Sequence, residues 1–158
     1  MAKIWIKNQQ KQTLINPHKI RRTARGILEE LGLKNPEISI LLLDDPQITE
    51  LNKKYLNRKG PTDVISFPML DDSFPNLQPQ VLGDVVISVE TAQRQSLERQ
   101  CRLYEEITVL LIHGILHLLG YDHEVSESED KKMRNKEKEI FGKLMKDKKI
   151  SSLLKNDK

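Results

Sequence analysis

Three of the protein's four histidines fall within the eleven residues His113-Gly114-Ile115-Leu116-His117-Leu118-Leu119-Gly120-Tyr121-Asp122-His123. His113 and His117 are four apart, which on a helix places them one turn apart on the same face. Gly120 tolerates left-handed backbone angles and so offers that helix an end. A chain that turns there returns His123 toward the first pair. Three imidazoles converging on one point, with a fourth position left open, is the plan of a catalytic zinc site.

The surroundings raise the stakes for these side chains. From Ile107 to Leu119 the sequence is apolar almost all the way round, the mark of a buried helix. A buried polar group without a partner costs roughly 1–3 kcal/mol, and one metal ion would satisfy both helical histidines. The competing reading is a pair of core histidines bonded to backbone, with His123 unrelated in a loop. The spacing H-x-x-x-H-x-x-G-x-x-H is also the skeleton of metzincin proteases. Those enzymes carry Glu directly after the first His as general base; here that residue is Gly114. The ligand set is present and the protease base is missing, which disfavours peptide hydrolysis but leaves Lewis-acid chemistry available.

Three blocks together resemble a known family. His113–His123 reads as H-G-x-L-H-L-x-G-Y-D-H. Upstream, Leu51-Asn52, Tyr55 and Pro61-Thr62-Asp63-Val64-Ile65-Ser66-Phe67-Pro68 are similar to L-N-x-x-Y-R…P-T-D-V-L-S-F-P, and Gly83-Asp84-Val85-Val86-Ile87-Ser88 to G-D-I-x-I-S. Pattern and order resemble the YbeY family, bacterial single-strand-specific metallo-endoribonucleases linked to ribosomal RNA maturation and ribosome quality control. The resemblance implies one Zn²⁺ per chain on His113, His117 and His123. It implies single-stranded RNA, ribosomal RNA above all, as substrate, and the ribosome or ribosomal proteins as partners. One departure stands out. The family usually has a functionally important Arg directly after the Tyr of the second block; here that position is Leu56, and the nearest Arg is Arg58.

Candidate roles follow from that chemistry. Arg58 or a neighbouring Lys is placed to offset phosphate charge. Asp122 and Glu124 flank His123, Glu106 sits seven residues before His113, and Asp84 lies in the third block; each is a candidate base or a hydrogen-bond partner that orients a ligand. Either water or the RNA 2′-hydroxyl is available as nucleophile. Of the three basic groups in the chain, Lys53, Lys54, Arg58 and Lys59 adjoin the P-T-D-V block and are assigned to RNA phosphates. Lys19, Arg21, Arg22 and Arg25, and the C-terminal lysines, read as solvated faces.

The rest of the chain supplies the mounting. The 158 residues suffice for one domain with a real core, bounded at 1–145, with 146–158 read as a basic tail. Ala2, Ile4 and Ile6 alternate as a strand. Asn16-Pro17 opens a helix that Gly32 closes. Ile38 to Leu43 is a strand, and Asp45-Pro46 caps a helix through Tyr55. Val64–Phe67 and Val85–Val89 are strands, followed by a charged helix to about Arg99. After the histidine run, Ser126 and Glu129 match a capping box. Met133, Ile140, Phe141 and Leu144 give the last helix an inward face, which favours core packing for Met133 over a metzincin-like turn. Pro68 to Gln80, with three prolines and no periodicity, reads as a loop, either a mobile connection between two strands or a lining of the substrate groove. The order predicts an α+β domain: a small mixed sheet of about four strands covered by helices, with a central buried helix carrying the metal ligands.

A net charge of +3 is modest. No apolar run is long enough for a membrane span, and Met1–Lys7 is too short and too charged for a signal peptide. A lone Cys101 allows no intrachain disulfide. A cytoplasmic protein without a membrane partner is expected. Three function classes stay open: a metal-dependent endoribonuclease, another zinc hydrolase such as a peptidase, and a non-catalytic ribosome-associated protein whose zinc is structural.

Overall fold

The computed structural model describes residues 1–70 and 80–155. The elements are β1 (Lys3–Asn8), α1 (Pro17–Glu30), β2 (Pro36–Leu43), α2 (Asp45–Leu56), β3 (Val64–Pro68), β4 (Gln80–Ser88), α3 (Val89–Glu98), α4 (Leu103–Leu118), α5 (Glu127–Lys146) and α6 (Lys148–Lys155). The strands form one sheet in the order β1-β2-β4-β3. β1, β2 and β4 run parallel, and β3 runs antiparallel along β4. This is the expected mixed α+β fold. Between Pro68 and Gln80, the expected loop falls for the most part outside the described residues.

Strand alternation divides the core. Ile38, Ile40, Leu42, Val85 and Ile87 point into the main cluster with α1, α3, α4, α5 and α6; Leu43, Ile65 and Val86 point the other way, toward Ile48 of α2. β2 therefore has one fully buried face and one half-covered face. β4 begins earlier than its apolar stretch suggests, because its first residues continue the ladder with β2 through a bulge at Glu37/Ile38.

Caps fall near their sequence signals. Asn16 accepts from the His18 amide, and Ser126 accepts from the Glu129 amide. At α2 the cap is Asp44, one residue earlier than expected. Its carboxylate accepts from the Gln47 amide, while Gln47 Oε1 accepts from the Asp44 amide. Asp45 is thereby free to bind elsewhere. It accepts from Ser88 Oγ at 2.6 Å, Thr91 Oγ1 at 2.7 Å and Arg94 Nη1 at 2.7 Å, pinning α2 to the start of α3. Burial alone would push the Asp45 carboxyl up. Those three hydrogen bonds and the Arg94 charge outweigh it and hold the group below the usual carboxylate range.

The last segment corrects the reading of 146–158 as a tail. Residues 148–155 form α6, whose Ile150 and Leu154 are four apart and buried. The lysines around them stay outside while this two-residue stripe docks, so a charged composition conceals an amphipathic helix. Met133 is fully buried, as core packing requires. Cys101 is half-buried, and burial followed by the nearby Glu106 charge pushes its thiol up, which makes it a poor nucleophile.

Candidate metal centre

The site is built on the end of α4. Eleven of that helix's residues are buried, so it runs through the helical layer and leaves only a narrow half-buried stripe, Glu105, Val109, His113 and His117, toward solvent. Its C-terminus closes as a Schellman turn: the Tyr121 amide donates to Leu116 O at 3.0 Å and the Gly120 amide to His117 O at 3.1 Å, with Gly120 at φ +99°. That reversal brings His123 back to the helical pair. Ring centroids lie 4.6 Å apart for His113–His117, 5.3 Å for His113–His123 and 5.1 Å for His117–His123. One ligand atom from each falls within 4.8 Å of the others.

The donor set fits a metal ion. Two nitrogens held tetrahedrally at about 2.0–2.1 Å from zinc lie about 3.3 Å apart, close to the 3.1 Å between His113 Nε2 and His117 Nε2. His123 Nδ1 is buried and has no hydrogen-bond partner among the described residues. Burial first, then the charges of His113 and His123, hold His117 below the ordinary imidazole range. The neutral ring that a metal requires is therefore favoured.

Around the triad lies a cleft of about 530 Å³, lined by Leu56, Arg58, residues 62–66, Pro68 and residues 120–124. Ser66 Oγ donates to Gly114 O at 2.8 Å and ties strand β3 to the histidine helix. Gly114 packs directly onto the sheet: a Cβ there would stand 2.7 Å from Val85 Cγ1 of β4 and 3.2 Å from Val64 Cγ2 of β3. The residue after the first histidine therefore faces the sheet, and the absence of the zincin glutamate has a packing cause.

The expected residues separate into those at the cleft and those away from it. Arg58, Asp122 and Glu124 line it. Arg58 Nη2 is 3.9 Å from Glu124 Oε1, which is also 3.8 Å from His123 Nε2, and Asp122 Oδ1 caps the turn by accepting from the Glu124 amide. Lys53, Lys54 and Lys59 are exposed and stand outside the lining. Lys54 Nζ lies instead 5.2 Å over the Tyr55 ring. Asp84 is not brought to the triad. It alternates with Val85 on β4 and lines a hollow on the opposite face of the sheet, with Trp5, Tyr55 and Phe67. Glu106 is 1% exposed and paired with Arg99 at 2.9 Å, away from the cleft. Burial pushes its carboxyl up, against the pull of Arg99.

Three polar groups at the site had no motif signal of their own chemistry. Asp63 accepts from the Val64 amide and from Gln95 Nε2, and Ser66 ties the cleft wall. Glu137 of α5 places Oε1 3.4 Å from His113 Nδ1. Its helical spacing from Met133 and Ile140 marks it as an acidic residue on an inward apolar stripe.

The family model described as Endoribonuclease YbeY matches residues 5–145. The chain belongs to the YbeY endoribonuclease family. YbeY relatives similar to it include Endoribonuclease YbeY of Syntrophus aciditrophicus, 43% identical over 87% of each chain. That of Geobacter sulfurreducens is 43% identical over 90% of this chain and 95% of its own. The Aquifex aeolicus protein is 46% identical over 86% and 89%. A solution structure from Thermotoga maritima matches 94% of both chains with a TM-score of 0.58 at 21% identity, a likeness of fold. YbeY proteins are named as hydrolytic nucleases, and this chain is an enzyme of that family.

Proposed function

We propose that the protein is a zinc-dependent endoribonuclease that cuts single-stranded RNA in the cytoplasm, acting in ribosomal RNA maturation and ribosome quality control, with the ribosome or its proteins as partners. The observation that carries the reading is the convergence of His113, His117 and His123 at a cleft that Arg58 also lines, in a chain of the YbeY family. The three histidines would hold one Zn²⁺, since neutral imidazole suits that ion. When bound, such an ion supplies Lewis-acid polarisation of a phosphoryl oxygen and acidifies water.

The remaining roles belong to the chain itself. Arg58 binds the phosphate; its present partner Glu124 is 3.9 Å away and both side chains are 64% exposed, so a phosphate displaces a weak contact. Glu124, set free, and Asp122 are two cleft carboxylates able to accept a proton. Lys53, Lys54 and Lys59 bind phosphates of the strand as it leaves the cleft, through counterion release rather than base contacts. Unpaired RNA bends enough to bring a phosphate down to recessed histidines, whereas a duplex is stiff.

Gly114 favours this reading over a peptidase, because a glutamate side chain at that position would run into Val85 and Val64. Among the described residues three histidines converge, not the four protein ligands usual for structural zinc. The test is cleavage of matched single-stranded and duplex RNA by protein carrying about one zinc per chain. Single-strand cutting that a chelator abolishes and zinc restores is expected. Zinc-loaded protein that leaves single strands intact, or that degrades casein under the same conditions, would overturn the assignment.

A further inference from the structure

We propose that Glu137 is a positioning residue for the metal centre: its carboxylate accepts from His113 Nδ1–H, fixes that ring's tautomer and turns Nε2 toward the ligand site. The inference rests on the metal-site reading. Three observations carry it. Glu137 Oε1 is 3.4 Å from His113 Nδ1. The other nitrogen of the same ring, Nε2, is the one that faces His117, at 3.1 Å from its Nε2. A ring with a carboxylate on one nitrogen and a second candidate ligand at the other has one tautomer that serves both: Nδ1 protonated and Nε2 bare.

The third observation is placement. Glu137 comes from α5, an element separate from the one that carries the ligand, and its side chain is only 21% exposed. It lies four residues after Met133 and three before Ile140, both buried, so the stripe that docks α5 also delivers the carboxylate. An acid on such a stripe needs a partner, and His113 supplies it. The histidines are then held differently. His113 leans on the Glu137 carboxylate, whereas His123 Nδ1 has no partner among the described residues. Glu137 stands nearer to His113 than Glu124 does to His123, 3.4 Å against 3.8 Å, and it is the more buried of the two carboxylates. A carboxylate on a ligating imidazole raises its basicity and holds its orientation, and losing one typically costs about 10–100-fold in metal affinity.

The experiment measures zinc affinity by competition with a chromophoric chelator, in wild type, Glu137→Ala, Glu137→Gln and His117→Ala, alongside the melting temperature of each metal-free protein. Glu137→Ala should bind zinc about 10–100-fold more weakly. Glu137→Gln keeps an oxygen that accepts from Nδ1–H but no charge, so it should recover part of the loss with a metal-free melting temperature like wild type. Nitrogen NMR of zinc-loaded wild type should show His113 protonated at Nδ1. Wild-type affinity in both Glu137 variants, with affinity lost in His117→Ala, would remove Glu137 from the centre while leaving the centre intact. Wild-type affinity in all three would instead overturn the metal site itself. If Glu137→Ala does not fold, the Gln variant and the tautomer decide alone: zinc bound as in wild type, or His113 protonated at Nε2, would refute the role.

Discussion

Burial and two neighbouring imidazoles keep His117 neutral and available to a metal. His117→Ala should take bound zinc from about one per chain to nearly none, read by elemental analysis of protein refolded with zinc and desalted. Equal metal in both proteins would contradict the ligand set. Arg58 makes a separate prediction. A hydrogen bond from a charged donor contributes about 1.5–3 kcal/mol, so Arg58→Ala should slow RNA cleavage by about 10–150-fold, with zinc content unchanged. Rates equal to wild type would exclude Arg58 from phosphate binding. These residues were legible because their spacing is local: His113, His117, Gly120 and His123 describe a helix and its turn within eleven residues. Glu137, Ser66 and Asp84 were not. Whether each meets the triad depends on how distant elements pack, and Asp84 lies within a recognisable block yet on the wrong face of its strand.

At the scale of elements, the seam between α4 and the sheet sets the geometry of the cleft. Gly114→Ala should destabilise the protein by about 1–3 kcal/mol, the usual range for overpacking, since its methyl group meets Val85 at 2.7 Å. Gly142, also helical but with nothing within 4 Å of an added Cβ, supplies the contrast. Gly142→Ala should stabilise by about 0.5–1 kcal/mol. Thermal denaturation of both variants checks the pair, and equal shifts would deny the tight seam. The Asp45 pin gives a pH dependence. Its carboxyl is held down in the fold, so it contributes stability above the unfolded value of about 3.9. That contribution is lost as pH falls through the folded value. Asp45→Asn should therefore be less stable than wild type at pH 7, with the gap in urea midpoint closing toward pH 2. A gap independent of pH would refute it. The cap itself was legible to within one residue. The pin was not, because Ser88, Thr91 and Arg94 lie 43, 46 and 49 positions from Asp45.

Taken whole, the molecule is a four-stranded sheet whose histidine helix is enclosed by its neighbours, and the C-terminal helix completes that enclosure. Ile150 Cδ1 stands where a side chain on Gly26 of α1 would be, 2.7 Å from its ideal Cβ, so α6 closes directly onto α1. Ile150→Ala should cost about 2–4 kcal/mol, measured as a shift in urea midpoint at constant slope; a shift under about 0.5 kcal/mol, the range of surface substitutions, would return 146–158 to the status of a tail. The element order was readable from periodicity, but the insertion of β4 between β2 and β3 was not written in any local pattern. No helix among the described residues is long and apolar enough to cross a membrane.

The mounting of the three imidazoles on two kinds of support also has a consequence in time. His113 and His117 ride on α4, most of whose residues are buried, and core helices of that kind are among the last parts of a fold to open. His123 is held by the short turn after Gly120, more exposed than the other two. Turns of that kind move in nanoseconds to microseconds, far faster than a core helix opens. Loss and capture of an ion would then follow the opening of the turn, so a chelator would strip the centre at a rate unrelated to the rate of global unfolding. The protein would survive the stripping with its helix and its two fixed nitrogens already in place for the next ion.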